Sequence, residues 1–151
     1  MLPDIDVIGF SFGIAYEDMF GHRGFTHSLA FAVVIGALVA RHLSHLSHRR
    51  AHPSHPSHDS HPSHRLTLFF WFLAVTASHG LLDAFTNGGR GIAFLAPFSN
   101  HRYFFAWRPI QVSPIGAGFF SPRGLSVLAS EARWIWVPSA IMAASARIFR
   151  K

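Results

Sequence analysis

The chain has 151 residues, half of them apolar, and a positive mean hydropathy, which predicts one domain over 1–151 that is more apolar than an ordinary water-soluble protein. Thirteen basic residues against seven acidic ones give a net charge of +6, which in so apolar a chain indicates anionic membrane lipids rather than nucleic acid as partners. The sequence has no cysteine, which excludes disulfides, thiolate metal sites and cysteine nucleophiles, so nitrogen and oxygen atoms must hold any metal.

The N-terminal motif LPDID brings two carboxylates close together. Asp4 and Asp6 are separated by one residue and would lie on the same side of an extended segment. Two carboxylates so close repel each other unless a cation lies between them. The pair is a candidate metal site, and a solvated N-terminal turn is the alternative.

The motif HRGFTHS leads into the first apolar segment, from Phe25 to Ala40, which predicts a membrane helix. His22 and His27 are five residues apart and do not face each other on a regular helix, so we expect His22 in the preceding loop and His27 in the first turn. Gly24 permits a bend that aims both imidazoles at one point, and Thr26 can start the helix.

Residues 41–65 form a low-complexity linker of His, Pro and Ser that holds eight of the twelve histidines. Its polar, Pro-rich composition predicts a disordered loop. A metal-buffering or pH-sensing tract is one interpretation, because imidazole binds metals and titrates near neutrality. A solvated loop without a metal role is favoured, since this spacing gives no fixed ligand geometry.

The second predicted helix, from Leu66 to about Phe85, is apolar at its start and polar near its end. His79 and Asp83 are four residues apart, so both side chains project from one face and can reach one ion. Ionisable groups in a membrane segment are costly, which makes them functional candidates. A buried His–Asp hydrogen bond between helices is the alternative.

Aromatic and arginine residues alternate between Asn87 and Arg133, a composition typical of a membrane interface. A third apolar segment, from Trp134 to about Ala146, is short and contains Pro138, so it predicts a spanning or an interfacial helix. The predicted fold is therefore all-α, with about three membrane-associated helices and a His-rich loop. Basic residues are densest in that loop and at the C-terminus, which predicts that both lie in the cytoplasm. The polar ends of the first two helices would then meet at the periplasmic face.

Acids and imidazoles in three separate clusters predict one divalent metal site. The candidate ligands are Asp4, Asp6, His22, His27, His79 and Asp83. Such a set suits zinc, with manganese or magnesium as alternatives, and two ions could share bridging carboxylates. The chemistry expected of it is attack of metal-activated water on an ester or phosphoester.

The motifs LPDID, HRGFTHS and SHGLLDAFTNGG, followed by LAPFSNHRYFFAW, resemble the YdjM-type family of inner-membrane-bound, metal-dependent hydrolases, also described as LexA-binding. The resemblance covers nearly all of the chain outside the linker and implies a multi-pass protein of the bacterial inner membrane. Carried over position by position, the family's polar motif residues fall on the six candidate ligands. Family members usually have a helix with a Thr-His motif before LPDID, and this sequence contains no counterpart of it.

The resulting hypothesis is a membrane-bound hydrolase acting on a phosphoester or another lipid-like ester. Its candidate catalytic residues are Asp4, His27 and Asp83, and Arg23 and Arg102 are candidates for holding an anionic substrate. The main rival is a regulatory or scaffolding membrane protein, with an unidentified protein partner, in which the same residues only join helices. A metal-handling protein that uses the His-rich loop is the second rival.

Overall fold

The computed structural model describes residues 2–50, 62–114 and 116–148. Every regular element within these ranges is helical, and the only β features there are two isolated bridges. The α-helices are α1 (Leu29–Arg50), α2 (Pro62–Ala84), α3 (Pro122–Glu131) and α4 (Val137–Ile148). Three 3₁₀ segments, Pro3–Phe12, Phe25–His27 and Gly116–Phe120, and one π-helical turn, Ala132–Trp136, complete the described elements. The all-α prediction is confirmed.

Helices α1 and α2 are long and apolar enough to cross a membrane. Their apolar windows, Leu29–Leu46 and His64–Ala84, contain 18 and 21 residues. At a rise of 1.5 Å per residue they measure about 27 and 32 Å, close to the roughly 30 Å of a bilayer core. Only 17% and 6% of these windows are buried, unlike the core helices of a soluble protein.

The helix boundaries differ from those expected. Helix α1 begins after Ser28, whose hydroxyl accepts a hydrogen bond from the Phe31 N–H at 3.1 Å, so Ser28 rather than Thr26 caps the helix. Helix α2 begins at Pro62, a residue suited to a first helical turn.

The predicted linker is helical at both ends, because α1 continues to Arg50 and α2 already includes residues 62–65. Polar side chains do not end a helix by themselves, and the first proline after α1 is Pro53. The rest of the linker, residues 51–61, lies outside the described residues.

The third apolar segment is part of a longer helical stretch than predicted. Helices α3 and α4 and the π turn between them are continuous from Pro122 to Ile148. The predicted segment from Trp134 to Ala146 is therefore the second half of this stretch. Ser121 followed by Pro122 is the start signal that an apolar-run criterion overlooks.

The chain divides into two compact units, each with its own internal contacts. The first comprises Met1–Leu82 with Arg90–Tyr103, and the second Asp83–Gly89 with Phe104–Lys151. In the second unit, Phe85 stacks on Phe105 and the Trp107 ring meets Trp134 edge to face. The prediction of a single domain over 1–151 stays a prediction.

The first unit holds the N-terminal motifs against its own later loop. The Ala93 N–H donates to the Arg23 carbonyl at 3.1 Å, and the Leu29 N–H donates to the Phe94 carbonyl at 3.0 Å. Within the same unit, a Cβ added at Gly36 of α1 would lie 3.0 Å from the Phe69 carbonyl oxygen of α2. The missing side chain lets the two helices approach each other closely at this point.

Candidate metal centre

The N-terminal carboxylates lie on a 3₁₀ helix, Pro3–Phe12, and not on the extended segment that the sequence predicted. A 3₁₀ helix has three residues per turn, so positions two apart point in different directions. The side chains of Asp4 and Asp6 therefore do not project from the same side of this 3₁₀ helix. Asp4 is half-buried and Asp6 is buried, and each contacts a different set of histidines.

The HRGFTHS motif forms a tight bend before α1. Arg23 has a φ of 63°, in the left-handed region that few non-glycine residues adopt. A Cβ at Gly24 would lie 2.2 Å from the Met19 carbonyl oxygen, so only glycine fits there. His22 lies in the bend and His27 in the 3₁₀ turn Phe25–His27, with ring centroids 5.6 Å apart. His22 lies in the loop, as expected, whereas His27 lies in a separate 3₁₀ turn before α1 and not in the first turn of the helix itself.

The first cluster of the site surrounds Asp6. The Nδ1 of His22 lies 2.7 Å from Asp6 Oδ1, and the Arg23 backbone N–H donates to Oδ2 at 3.1 Å. The Thr26 hydroxyl also donates to Oδ2, and the Nδ1 of His27 lies 3.2 Å from it. Sequence reasoning assigned Thr26 to helix initiation and missed this contact, because the two residues are 20 positions apart in the chain.

The second cluster joins Asp4 to histidines of two other elements. Asp4 Oδ1 lies 3.3 Å from Nε2 of His79 on α2 and 3.6 Å from Nε2 of His27. The rings of His27 and His79 are 5.0 Å apart. Ligand atoms of these three residues all lie within 4.8 Å of one another, close enough to surround one cation.

Gly80 allows α2 to reach this position. A Cβ at Gly80 would lie 2.7 Å from the His27 carbonyl oxygen, closer than side-chain atoms approach a backbone. The glycine therefore permits α2 to pass directly over the turn that carries His27 and to present the adjacent His79 to it. This contact was not predicted, although a glycine within a helical pattern is a recognised sign of a close approach.

Asp83 follows His79 by one helical turn, near the C-terminal end of α2. Side chains four residues apart on a helix share a face, as the sequence analysis expected. The carboxylate belongs to the second compact unit, which begins at this residue.

The histidines determine the charge state of both N-terminal carboxylates. Burial alone would raise the pKa of Asp4, but hydrogen bonds and charge interactions with His27 and His79 hold it well below its usual value. Burial likewise acts to raise the pKa of Asp6, and its contacts with His22, His27 and Thr26 lower it by more. Both side chains are therefore carboxylates at neutral pH, the form that binds a cation.

Arg102 joins the loops around the site. Its guanidinium donates to the carbonyl oxygens of His22 at 3.0 Å and Tyr16 at 2.9 Å, and burial lowers its pKa. Arg23 is buried with 4% of its surface exposed. Anion binding by Arg23 and Arg102 stays a prediction, and the structural role of Arg102 is an addition to it.

The donor set fits a divalent transition metal. Asp4, His27 and His79 offer one carboxylate oxygen and two imidazole nitrogens, which are ligand types found in catalytic zinc sites. The Nδ1 of His27 contacts the Asp6 carboxylate, which is the arrangement that orients a ligating histidine in metalloenzymes.

Comparisons with known proteins agree with the two apolar helices that are long enough to span a membrane. The family model described as "YdjM inner membrane protein" matches residues 1–150. The inner membrane protein YbcI of Escherichia coli (strain K12) is 39% identical over 144 residues, which cover 94% of this chain and 75% of that protein. No solved structure matches the chain.

Proposed function

Because the chain belongs to the YdjM family of inner membrane proteins, we propose that it is a metal-dependent hydrolase that acts on an ester at the membrane face. The observation that carries this proposal is the meeting of Asp4, His27 and His79 from three separate elements. A residue that only joins two helices needs one partner, whereas the ligand atoms of these three residues all lie within 4.8 Å of one another. The half-buried Asp4 leaves this point accessible from outside the protein.

The proposed ligands are Asp4 Oδ1 and the Nε2 atoms of His27 and His79, with zinc as the expected metal and manganese or magnesium as alternatives. Asp83 is proposed as a further ligand on the basis of its helical spacing from His79. When bound, the metal supplies Lewis-acid activation of water and stabilises developing negative charge. The protein's own part is to hold three donors in place and to keep Asp4 ionised.

The position of these residues suggests where the reaction takes place. His27 lies two residues before the start of α1, and His79 lies in the last two turns of α2. If both helices span the bilayer, these two ends emerge on the same side, opposite the His-rich linker. The positive-inside rule then assigns the linker to the cytoplasm and the site to the periplasmic face of a multi-pass protein. Lipid-like phosphoesters are the substrate class that such a position favours.

Hydrolysis of chromogenic esters by detergent-purified protein tests the proposal. The probes are p-nitrophenyl phosphate, bis(p-nitrophenyl) phosphate and p-nitrophenyl butyrate, each assayed after loading with zinc or manganese. We expect turnover of at least one probe by the wild type and by Ser78→Ala, whose exposed hydroxyl donates to the Val75 carbonyl of its own helix. His79→Ala should abolish it. Metal-loaded wild type that cleaves none of the three, or His79→Ala that cleaves them equally well, would contradict the proposal.

A further inference from the structure

The Asp6 carboxylate is surrounded by donors from the HRGFTHS bend. Oδ1 accepts from Nδ1 of His22, and Oδ2 accepts from the Arg23 backbone N–H and the Thr26 hydroxyl and contacts Nδ1 of His27. A carboxylate has about four acceptor positions, so these four contacts use its capacity. Its side chain is 2% exposed, which leaves little room for an ion in addition.

The contacts of His27 define its tautomer. Its Nδ1 lies 3.2 Å from the Asp6 carboxylate and 3.1 Å from the Thr26 oxygen. A carboxylate can only accept, and the Thr26 hydrogen is already donated to Asp6. Nδ1 of His27 must therefore carry the hydrogen. When the ring is neutral, its lone pair is therefore on Nε2, the nitrogen that faces Asp4.

From these contacts we infer that Asp6 is a positioning residue for His27 and not a metal ligand, so that the centre holds one ion. The inference rests on the proposed metal site and deepens it. Two groups of candidate ligands share His27, one through each ring nitrogen. A neutral imidazole has only one nitrogen lone pair available for a metal, so His27 cannot ligate one ion through Nδ1 and another through Nε2. His22, which contacts Asp6 Oδ1, belongs to the same supporting network.

Zinc titration of detergent-purified protein, by calorimetry or competition with a fluorescent chelator, tests the inference. The wild type should bind one zinc per chain. Asp6→Asn should also bind one zinc, about 10- to 100-fold more weakly, as expected for loss of a residue that orients a ligating histidine. Asp4→Asn should lose the site, and Asp18→Asn, an exposed carboxylate elsewhere in the first unit, should match the wild type.

A second measurement detects positioning without metal. In the apo protein, ¹⁵N NMR of the imidazoles should show a hydrogen on Nδ1 of His27 in the wild type, and in Asp6→Asn, at a pH where the ring is neutral, a mixture of tautomers. A purely structural role for Asp6 would leave the tautomer unchanged. If Asp6→Asn does not fold, Thr26→Val removes one contact to Asp6 and one to His27 at nearly constant shape, and should weaken zinc binding by a smaller factor.

The outcomes separate this inference from the proposed function. A wild type that binds no zinc contradicts both. A wild type that binds two zinc ions of which Asp6→Asn loses one, or an Asp6→Asn protein that loses stoichiometric binding like Asp4→Asn, overturns the inference and leaves the metal site in place. His27 without a hydrogen on Nδ1 in the apo wild type also overturns it.

Discussion

Replacing Gly80 with alanine tests the claim that close approach of α2 to the HRGFTHS bend forms the site. The added Cβ would lie 2.7 Å from the His27 carbonyl oxygen, a distance that must grow beyond 3.0 Å, so α2 must withdraw by at least 0.3 Å. Ligands around a metal tolerate deviations of only about 0.2 Å. Because His79 is the preceding residue, the withdrawal separates its Nε2 from Asp4 and His27.

The expected effect on stability is small and the effect on metal binding large. Overpacking against a backbone atom costs about 1–3 kcal/mol. Alanine is more favourable than glycine in a helix interior by about 1 kcal/mol, so the net loss should be about 0–2 kcal/mol. We expect zinc affinity to fall about tenfold or more, as when a ligand's orienting contact is lost.

The assay is zinc competition with a chelator, in detergent, together with a denaturation curve of the apo protein. Ser78→Ala, an alanine substitution at an exposed position two residues before Gly80 on the same helix, serves as the control for the change in helix propensity. A Gly80→Ala protein that binds zinc as tightly as Ser78→Ala would refute the reasoning, because it would show that the contact with His27 does not position His79.

Three further predictions follow from the first unit and the linker. Arg102→Met should lower the free energy of unfolding of the apo protein by about 1–3 kcal/mol, because it leaves partly buried carbonyl groups without hydrogen-bond donors. Arg90→Ala, which breaks an exposed ion pair, should lower the same free energy by no more than about 1 kcal/mol. Denaturation curves measure both. Because folding lowers the pKa of Asp6 from 3.8, its ionised form stabilises the fold at pH values above 3.8, and this stability is lost as the pH falls below 3.8. The melting temperature of the apo wild type should therefore fall with pH below 3.8, and that of Asp6→Asn should fall less steeply. Equal dependence of the two melting temperatures on pH would count against the pairing of Asp6 with its histidines. Replacing residues 51–61 with a Gly-Ser linker of equal length should leave the number of zinc ions bound per chain unchanged, because every proposed ligand lies elsewhere. A lower number would favour a metal-handling role for the His-rich tract.

The presence of the helices was largely predictable, because an apolar run long enough to cross a membrane has few stable backbone structures other than a helix. Their ends were not, since an apolar run does not show where a helix stops. The continuation of α1 to Arg50 depends on the absence of proline before Pro53, and the start of α3 on Ser121 and Pro122. These are local signals that a search for apolar segments does not use.

The sequence named the Asp and His side chains that meet around Asp4 and Asp6, but not which of them contact one another. It assumed an extended LPDID segment, which placed Asp4 and Asp6 together, whereas the 3₁₀ helix separates them. The contact of Thr26 with Asp6 joins residues 20 positions apart, and that of Arg102 with the His22 carbonyl joins residues 80 apart. Long-range contacts of this kind leave no periodic pattern in one sequence.

The most direct test of the account is the metal content of the protein itself. Detergent-purified wild type, equilibrated with excess zinc and desalted, is measured by elemental analysis beside Asp4→Asn, His79→Ala and the control Ser78→Ala. The account predicts one zinc per chain in the wild type and the control, and none in the other two. Wild type without stoichiometric zinc, or full zinc content in both Asp4→Asn and His79→Ala, would contradict it.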